Sequence, residues 1–261
     1  MNDILKQNEN SWNAIADDFF GVTALPKLGV SIPTEDELHL FPELDGKCVL
    51  EMGCGSGHSL KWCAEHGAKE LHGLDISEQQ LRNAQSLLDE NGCSCTLYHQ
   101  SMEDNSNIPT DYFDVVYSIY AIGWTTDLKK TINNAASYLK KGGTYIFSWD
   151  HPLLHCVALE NVLISDNNRK ANNDQRLVFN GNYLLEDYYS FEKKGNLLTL
   201  QNRKMSTYIN ALAEAGFVIE RVVEDTNEKI LKKFDFSSSG YYADYKAKHF
   251  PLSVVFKARK I

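Results

Sequence analysis

Residues 48–57 read Cys48-Val49-Leu50-Glu51-Met52-Gly53-Cys54-Gly55-Ser56-Gly57. A short apolar run, Cys48 to Glu51, leads into three alternating glycines, and Ser59 to His66 then has the pattern of a helix closed by Gly67. Glycines let a backbone turn sharply and leave room for a ligand against the peptide plane. A helix starting at such a turn aims its free N–H groups at the same place. The spacing narrows the ligand. Counted as Gly-x-Gly-x-x-Gly from Gly53, a dinucleotide fingerprint would put His58 where the third glycine belongs, and no Gly-Lys-Ser/Thr run for a P-loop exists. Glu51 beside the loop suits a cationic group and repels a pyrophosphate. Asp75 ends the next strand, where a carboxylate can take both hydroxyls of a ribose.

Outward from this turn, strand and helix patterns alternate. Glu70 to Leu74 reads as a second strand, and Ser77 caps a helix that runs through Asn91 and ends at Gly92. Ser94 to His99 is a third strand. Phe113 to Ser118 is a fourth, apolar through its middle and so central in a parallel sheet. Asp127 to Leu139 is a helix stopped by Lys140-Lys141-Gly142-Gly143, and Thr144 to Trp149 is a fifth strand. About a hundred residues of such alternation argue for a doubly wound α/β sheet. Residues 152–202 are more polar; Tyr183 to Glu192, a Lys193-Lys194-Gly195-Asn196 turn and Leu197 to Gln201 predict a β-hairpin. Ser206 to Ala215 returns to helix, and Phe217 to Glu224 and Leu252 to Ala258 add two strands. Before the core, residues 1–45 predict one or two helices, with Trp12, Ile15, Ala16, Phe19 and Phe20 in an apolar stripe.

The run Glu51-x-Gly53-x-Gly55-x-Gly57 with Asp75 and the strands that follow resembles the class I S-adenosylmethionine-dependent methyltransferases, of the small-molecule, methyltransferase-11/25-like type. The likeness is firm over residues 46–150 and looser over the tail from Ser206 to Ala258. It implies a Rossmann-like, seven-stranded, mostly parallel sheet with an antiparallel last strand. The expected organisation is one domain: a helical cap (1–45), a cofactor core (46–150), an insertion over the acceptor site (151–205), and a C-terminal helix and strands (206–261).

The resemblance also implies roles at matching positions. The loop of Gly53, Cys54, Gly55, Ser56 and Gly57 would cradle the methionine part of S-adenosylmethionine, and Glu51 would hold its amino group. Asp75 would take the ribose hydroxyls and Ile76 would pack on the adenine. Ser101, Met102 and Glu103 match the segment after the third strand; Ser101 stands where many relatives carry Asp, and Met102 would offer a backbone N–H to the adenine. Ser118 and Trp124 would flank the methionine and sulfonium, and Trp12 sits where relatives close a helix over the cofactor. Lys141 replaces the usual Pro before Gly142-Gly143, a change to the turn more than to the chemistry.

In-line methyl transfer turns a cationic sulfonium into a neutral sulfide, so the protein acts mostly by alignment and exclusion of water. Aromatic faces can stabilise the sulfonium. Within Trp149-Asp150-His151-Pro152, His151 is the first candidate for a base, and Tyr120 is the second catalytic candidate, as a wall of the acceptor pocket. His155 is a weaker candidate for the base; the Tyr241-Tyr242 pair could line that pocket, although loop tyrosines are more often packing, and the insertion aromatics Tyr183, Tyr188, Tyr189 and Phe191 either roof it or form the hairpin's own buried face. Other readings stay open: a nicotinamide-dependent oxidoreductase, a non-catalytic cofactor-binding regulator whose acceptor cavity Trp or Tyr blocks, and a tRNA methyltransferase, which would want a basic surface beside the pocket.

The 261 residues carry 26 Lys+Arg against 35 Asp+Glu, a net charge of −9, which disfavours general nucleic-acid binding. The charge is uneven: −7 over residues 1–45, −5 over 46–150 and +3 over 151–261. A slightly basic acceptor half makes an anionic small molecule easier to accommodate. No apolar stretch approaches the roughly 20 residues that span a bilayer, and the first residues lack a basic then apolar leader, so the expectation is a cytoplasmic protein without a membrane partner. The six cysteines form no CxxC pair, which predicts reduced thiols and no metal.

Overall fold

A computed structural model describes residues 3–163, 173–233 and 240–261. In chain order it has α1 (Asp3–Ile15), α2 (Glu35–Leu38), β1 (Cys48–Met52), α3 (His58–Glu65), β2 (Glu70–Asp75), α4 (Glu78–Glu90), β3 (Cys95–His99), β4 (Phe113–Ile119), α5 (Leu128–Tyr138) and β5 (Leu139–Asp150). There follow β6 (Val157–Leu163), β7 (Asn173–Phe179), β8 (Tyr188–Lys193), β9 (Asn196–Gln201), α6 (Met205–Glu214), β10 (Phe217–Val223), α7 (Glu228–Leu231), α8 (Asp244–Ala247) and β11 (Ser253–Lys260). Seven strands form one sheet in the order β10-β11-β5-β4-β1-β2-β3. β3, β2, β1, β4 and β5 pair in parallel, whereas β11 runs antiparallel to both β5 and β10.

The strand sequences explain the order. β1 is buried at all five positions and β4 at six of seven, as apolar strands covered on both faces must be. β3 is nowhere fully buried and forms an edge. Neighbours along a strand point to opposite faces, so the core has two layers. Leu50, Met52, Val116, Phe147 and Phe256 pack with α5 and α6 on one side. Val49, Val115, Tyr117, Ile146 and Val255 pack with Leu60 of α3 and Leu81 of α4 on the other. Ser77 caps α4 by accepting from Gln80 N–H, and Asp127 caps α5 by accepting from Lys130 N–H. Among the described residues no helix is long and apolar enough to cross a membrane.

Two features differ from the sequence reading. Lys140 to Gly143, expected as a stop between helix and strand, belongs to β5, which starts at Leu139. The region after β5 holds two hairpins: β8–β9, where the turn residues predict one, and β6–β7, which has no Gly or Pro turn signal. The insertion hairpin β8–β9 is tied to α1. Asn8 Nδ2 donates to Thr199 O (2.8 Å), Thr199 N–H donates to Asn8 Oδ1 (2.9 Å), and Ser11 Oγ donates to Leu197 O (2.6 Å). On its other side α1 is tied to the start of α4, where Asn13 Oδ1 accepts from Ser77 Oγ and Gln79 N.

Candidate functional site

Ligands of open α/β sheets lie beyond the carboxyl ends of the strands. Here those ends open into one cavity of about 750 Å³, roofed by α1, the turn after it and the β8–β9 hairpin. Its floor is the glycine loop. Gly53, Gly55 and Gly57 all have positive φ, at +78°, +49° and +77°. At Gly53 a Cβ would stand 2.4 Å from Ala121 Cβ, so only glycine fits.

Glu51, Gly53, Cys54, Gly55 and Ser56 line one end of the cavity, with Asp75, Ile76, Ser101 and Met102. Asp75 is locked to the loop: Oδ2 accepts from Gly55 N–H (2.9 Å) and Oδ1 from Ser77 N–H (2.8 Å). Each oxygen keeps a second lone pair for a ligand. Burial raises its pKa, and the two backbone donors oppose the rise. Glu51 is 2 % exposed, and burial holds its carboxyl well above the usual carboxylate range, with Ser59 pulling the other way. Gln80 also lines this end, and its Oε1 is buried without a partner among the described residues.

The other end is built from distant pieces of chain. Tyr120, Trp124, Trp149, Asp150, Tyr189, Tyr241 and Tyr242 line it. Tyr120 sits at φ +55°, a strained value for a side chain of its size. Its amide donates to Ser148 O and Ser148 Oγ, and Gly29 packs so close that a Cβ there would lie 2.7 Å from the Tyr120 ring. These contacts aim the phenol at Asp150. Asp150 is 4 % exposed; Oδ1 accepts from Tyr120 OH at 2.6 Å, and both oxygens accept from Tyr242 OH at 3.0 and 3.1 Å. Tyr241 OH donates to Oδ2 at 3.4 Å and contacts His155 Nδ1 at 2.7 Å. Burial pushes the Asp150 carboxyl up to about 6 against the pull of the three phenols.

Of the residues singled out in the sequence, Trp12 also lines the cavity, its ring edge-on to Trp124 (5.0 Å) and near Phe19 (4.8 Å). Four others do not. Gly57 faces α4, where a Cβ would meet Ala84 Cβ at 3.0 Å, so its role there is close packing. Glu103 turns away and accepts from Thr125 Oγ1, Thr126 N and Asp127 N, which holds the segment after β4. Ser118 is fully buried inside β4. His151 is corrected as a base: its Nε2 is bonded to Glu224 (2.6 Å), its Nδ1 accepts from Leu153 N–H (3.2 Å), and neither nitrogen faces the cavity. His151 follows the last residue of β5 and opens the turn Pro152–Cys156, where its ring accepts from Leu153 N–H and reaches Glu224, whereas Asp150 stays on the cavity lining.

Sequence reasoning passed over Asp150, although it stands in the stretch that supplied His151 and at a strand's carboxyl end. It also missed Gln80, His58 and Lys193. His58 Nδ1 bonds Ser56 Oγ (3.0 Å), and Lys193 Nζ lies 3.7 Å from the centre of the Phe19 ring; all three missed residues line the cavity. Little of the positive charge of the C-terminal part reaches the site. Lys193 is the one Lys or Arg on the lining among the described residues, while Lys204, Lys232, Lys233, Arg259 and Lys260 pair with carboxylates elsewhere.

Comparison with known proteins agrees with this geometry. Residues 49–143 match the family described as a methyltransferase domain. An uncharacterized protein of Haemophilus influenzae is 31% identical over 196 residues, covering 72% of this chain and 73% of that one. A ubiquinone biosynthesis O-methyltransferase of Azoarcus sp. is 33% identical over 105 residues, 40% of this chain and 45% of that one. Among solved structures, an S-adenosylmethionine dependent methyltransferase from Mesorhizobium loti superposes with a TM-score of 0.67 at 26% identity, over 85% of this chain and 95% of the other.

Proposed function

This chain belongs to the class I S-adenosylmethionine-dependent methyltransferases, and from that premise we propose that it methylates a small molecule seated at the Tyr120–Asp150 end of the cavity, with S-adenosylhomocysteine as the other product. The residues at the opposite end suit the cofactor. Glu51 is a buried carboxyl in no ion pair among the described residues, which fits an ammonium group. Asp75 has spare lone pairs beside the glycine loop for a ribose diol, and the unpartnered Gln80 Oε1 accepts one more donor. When bound, the cofactor supplies an activated methyl group. The chain holds it with Glu51, Asp75 and the Gly53–Ser56 backbone, flanks it with Trp12 and Trp124, and keeps water out with α1 and the hairpin.

The enclosure of both ends in a single roofed cavity carries this reading. An acceptor must fit under α1 and β8–β9, which suits a small molecule better than a tRNA, and among the described residues the lining carries a single Lys or Arg side chain, Lys193. Space remains beside the aromatic walls at the acceptor end, which favours an enzyme over a regulator whose acceptor cavity is blocked. The test is methyl-labelled cofactor with a fractionated cell extract. Label entering the small-molecule fraction is expected; label confined to RNA or protein overturns the acceptor class.

A further inference from the structure

We propose that Asp150 is a catalytic residue, the base of the acceptor site, and that the acceptor is an amine whose attacking nitrogen is held by this carboxylate between aromatic faces. The inference rests on the methyltransferase reading above and adds to it the chemical class of the substrate.

Asp150 lies at the carboxyl end of β5, on the cavity wall and nearly out of reach of water. A carboxyl in such a place needs donors. Three phenols from two separate stretches of chain converge on it: Tyr120, Tyr241 and Tyr242. Tyr120 is held for this at a positive φ, and its hydroxyl is fixed by Ser253 Oγ as well (2.8 Å). Backbone strain persists where the surroundings impose it, and often where function needs it. A surface or merely structural carboxylate would not require that arrangement.

All three donors are neutral, so no partner here cancels the charge of the ionised carboxylate. No Lys or Arg of the described chain forms an ion pair with Asp150; Lys193, the basic residue on the lining, lies over Phe19, and Lys246 lies on the Tyr241 ring (5.4 Å). Around it are the ring of Trp149, 5.4 Å from Tyr120, and the edge-to-face pair of Tyr241 and Tyr242 at 4.8 Å. A negative group within aromatic walls is the chemistry that recognises an organic ammonium. An alcohol would leave the charge uncancelled, and a carboxylate or phosphate acceptor would be repelled.

The same desolvation prepares the nucleophile. Burial disfavours the charged forms of both partners, so it moves the proton of the bound ammonium onto Asp150 and frees the nitrogen lone pair. That lone pair forms the new N–C bond to the methyl group as the S–C bond breaks, and the S–C electron pair stays on sulfur. The proton remains on Asp150 until product leaves and is then lost to solvent.

The test uses three probes of one shape: 2-phenylethylamine, 2-phenylethanol and phenylacetate. Each is titrated into protein saturated with S-adenosylhomocysteine, with Trp124 and Trp149 fluorescence as the readout, and methyl transfer from labelled cofactor is measured in parallel. The amine is expected to bind at least tenfold more tightly than the other two. Asp150→Asn should erase that preference while cofactor affinity by calorimetry stays unchanged. Tyr242→Phe removes one stabilising donor, keeps the preference, and moves the pH at which amine binding sets in upward from about 6. The groups facing Asp150 in that titration are Tyr120, Tyr189, Tyr241 and Tyr242, with His155 behind Tyr241. Equal or weaker binding of the amine, no binding of any probe, or a preference that survives Asp150→Asn overturns the proposal. Failure of the cofactor itself to bind overturns the methyltransferase reading instead, so the two failures are separate.

Discussion

The two ends of the cavity are made in opposite ways. At the cofactor end the parts come from nearby sequence and act through backbone: three glycines in five residues, and Asp75 held by the amides of Gly55 and Ser77. At the acceptor end they come from four distant segments and act through side chains: Tyr120 after β4, Asp150 at the end of β5, Tyr189 in β8, and Tyr241 and Tyr242 before α8. A backbone site requires particular residues at particular spacings, so it leaves a motif. A side-chain site requires only that side chains meet, and many sequences achieve that.

The sharpest way to break this contrast is to add one methyl group at each end. Gly53→Ala would place a Cβ 2.4 Å from Ala121 Cβ at φ +78°, and Gly123→Ala would place one 1.8 Å from Trp149 Cε2. Overpacking at either site should cost about 3 kcal/mol of stability, with left-handed strain added at Gly53. Urea unfolding reads the loss. Calorimetry on what remains folded should show lost cofactor affinity for Gly53→Ala and retained affinity for Gly123→Ala. The same affinity for both would mean the ends are not independent.

Next in size, Asp75→Ala should weaken cofactor binding by roughly 1.5–3 kcal/mol, as for hydrogen bonds to a charged group. An unchanged Kd would remove Asp75 from the ribose.

A pH-dependent effect concerns stability at the acceptor end. The folded Asp150 carboxyl is raised to about 6, above its unfolded value of roughly 3.9. Its contribution is therefore fully present below about pH 4 and is lost as pH rises through 6. Asp150→Asn lacks this loss, so its unfolding free energy relative to wild type should climb from pH 4 to pH 6 and then level off, by at most about 3 kcal/mol. A flat difference across that range would show that Asp150 titrates normally. The smallest effect belongs to the roof: Lys193→Met removes the cation from the Phe19 ring and should cost about 0.5–1 kcal/mol, visible as faster proteolysis near the amino terminus.

What could be read from the sequence follows the same division. The alternating strands and helices of the core and the β8–β9 hairpin follow from periodicity and turn residues, whereas the seven-stranded sheet with its antiparallel last strand was implied by the family resemblance. The glycine loop and Asp75 were visible because few other backbones need that spacing. At the acceptor end, Tyr120 and Asp150 lie on the lining and His151 does not. Two physical facts separate Asp150 from His151: the chain turns away from the cavity after Asp150, and burial brings a carboxyl to the range where histidine normally works. The +3 charge of residues 151–261 misled for a different reason, since charge totals do not say which face a lysine occupies.

The reciprocal hydrogen bonds between Asn8 and Thr199 join residues 191 positions apart. A ribosome adds roughly 5–20 residues per second, so α1 emerges roughly 10–40 s before the strand that covers it. During that interval Asn8 and Ser11, buried in the finished protein, have no β9 to bond to. The roof cannot close before β9 emerges, so the glycine loop of the newborn chain is synthesised long before the chamber above it can be covered.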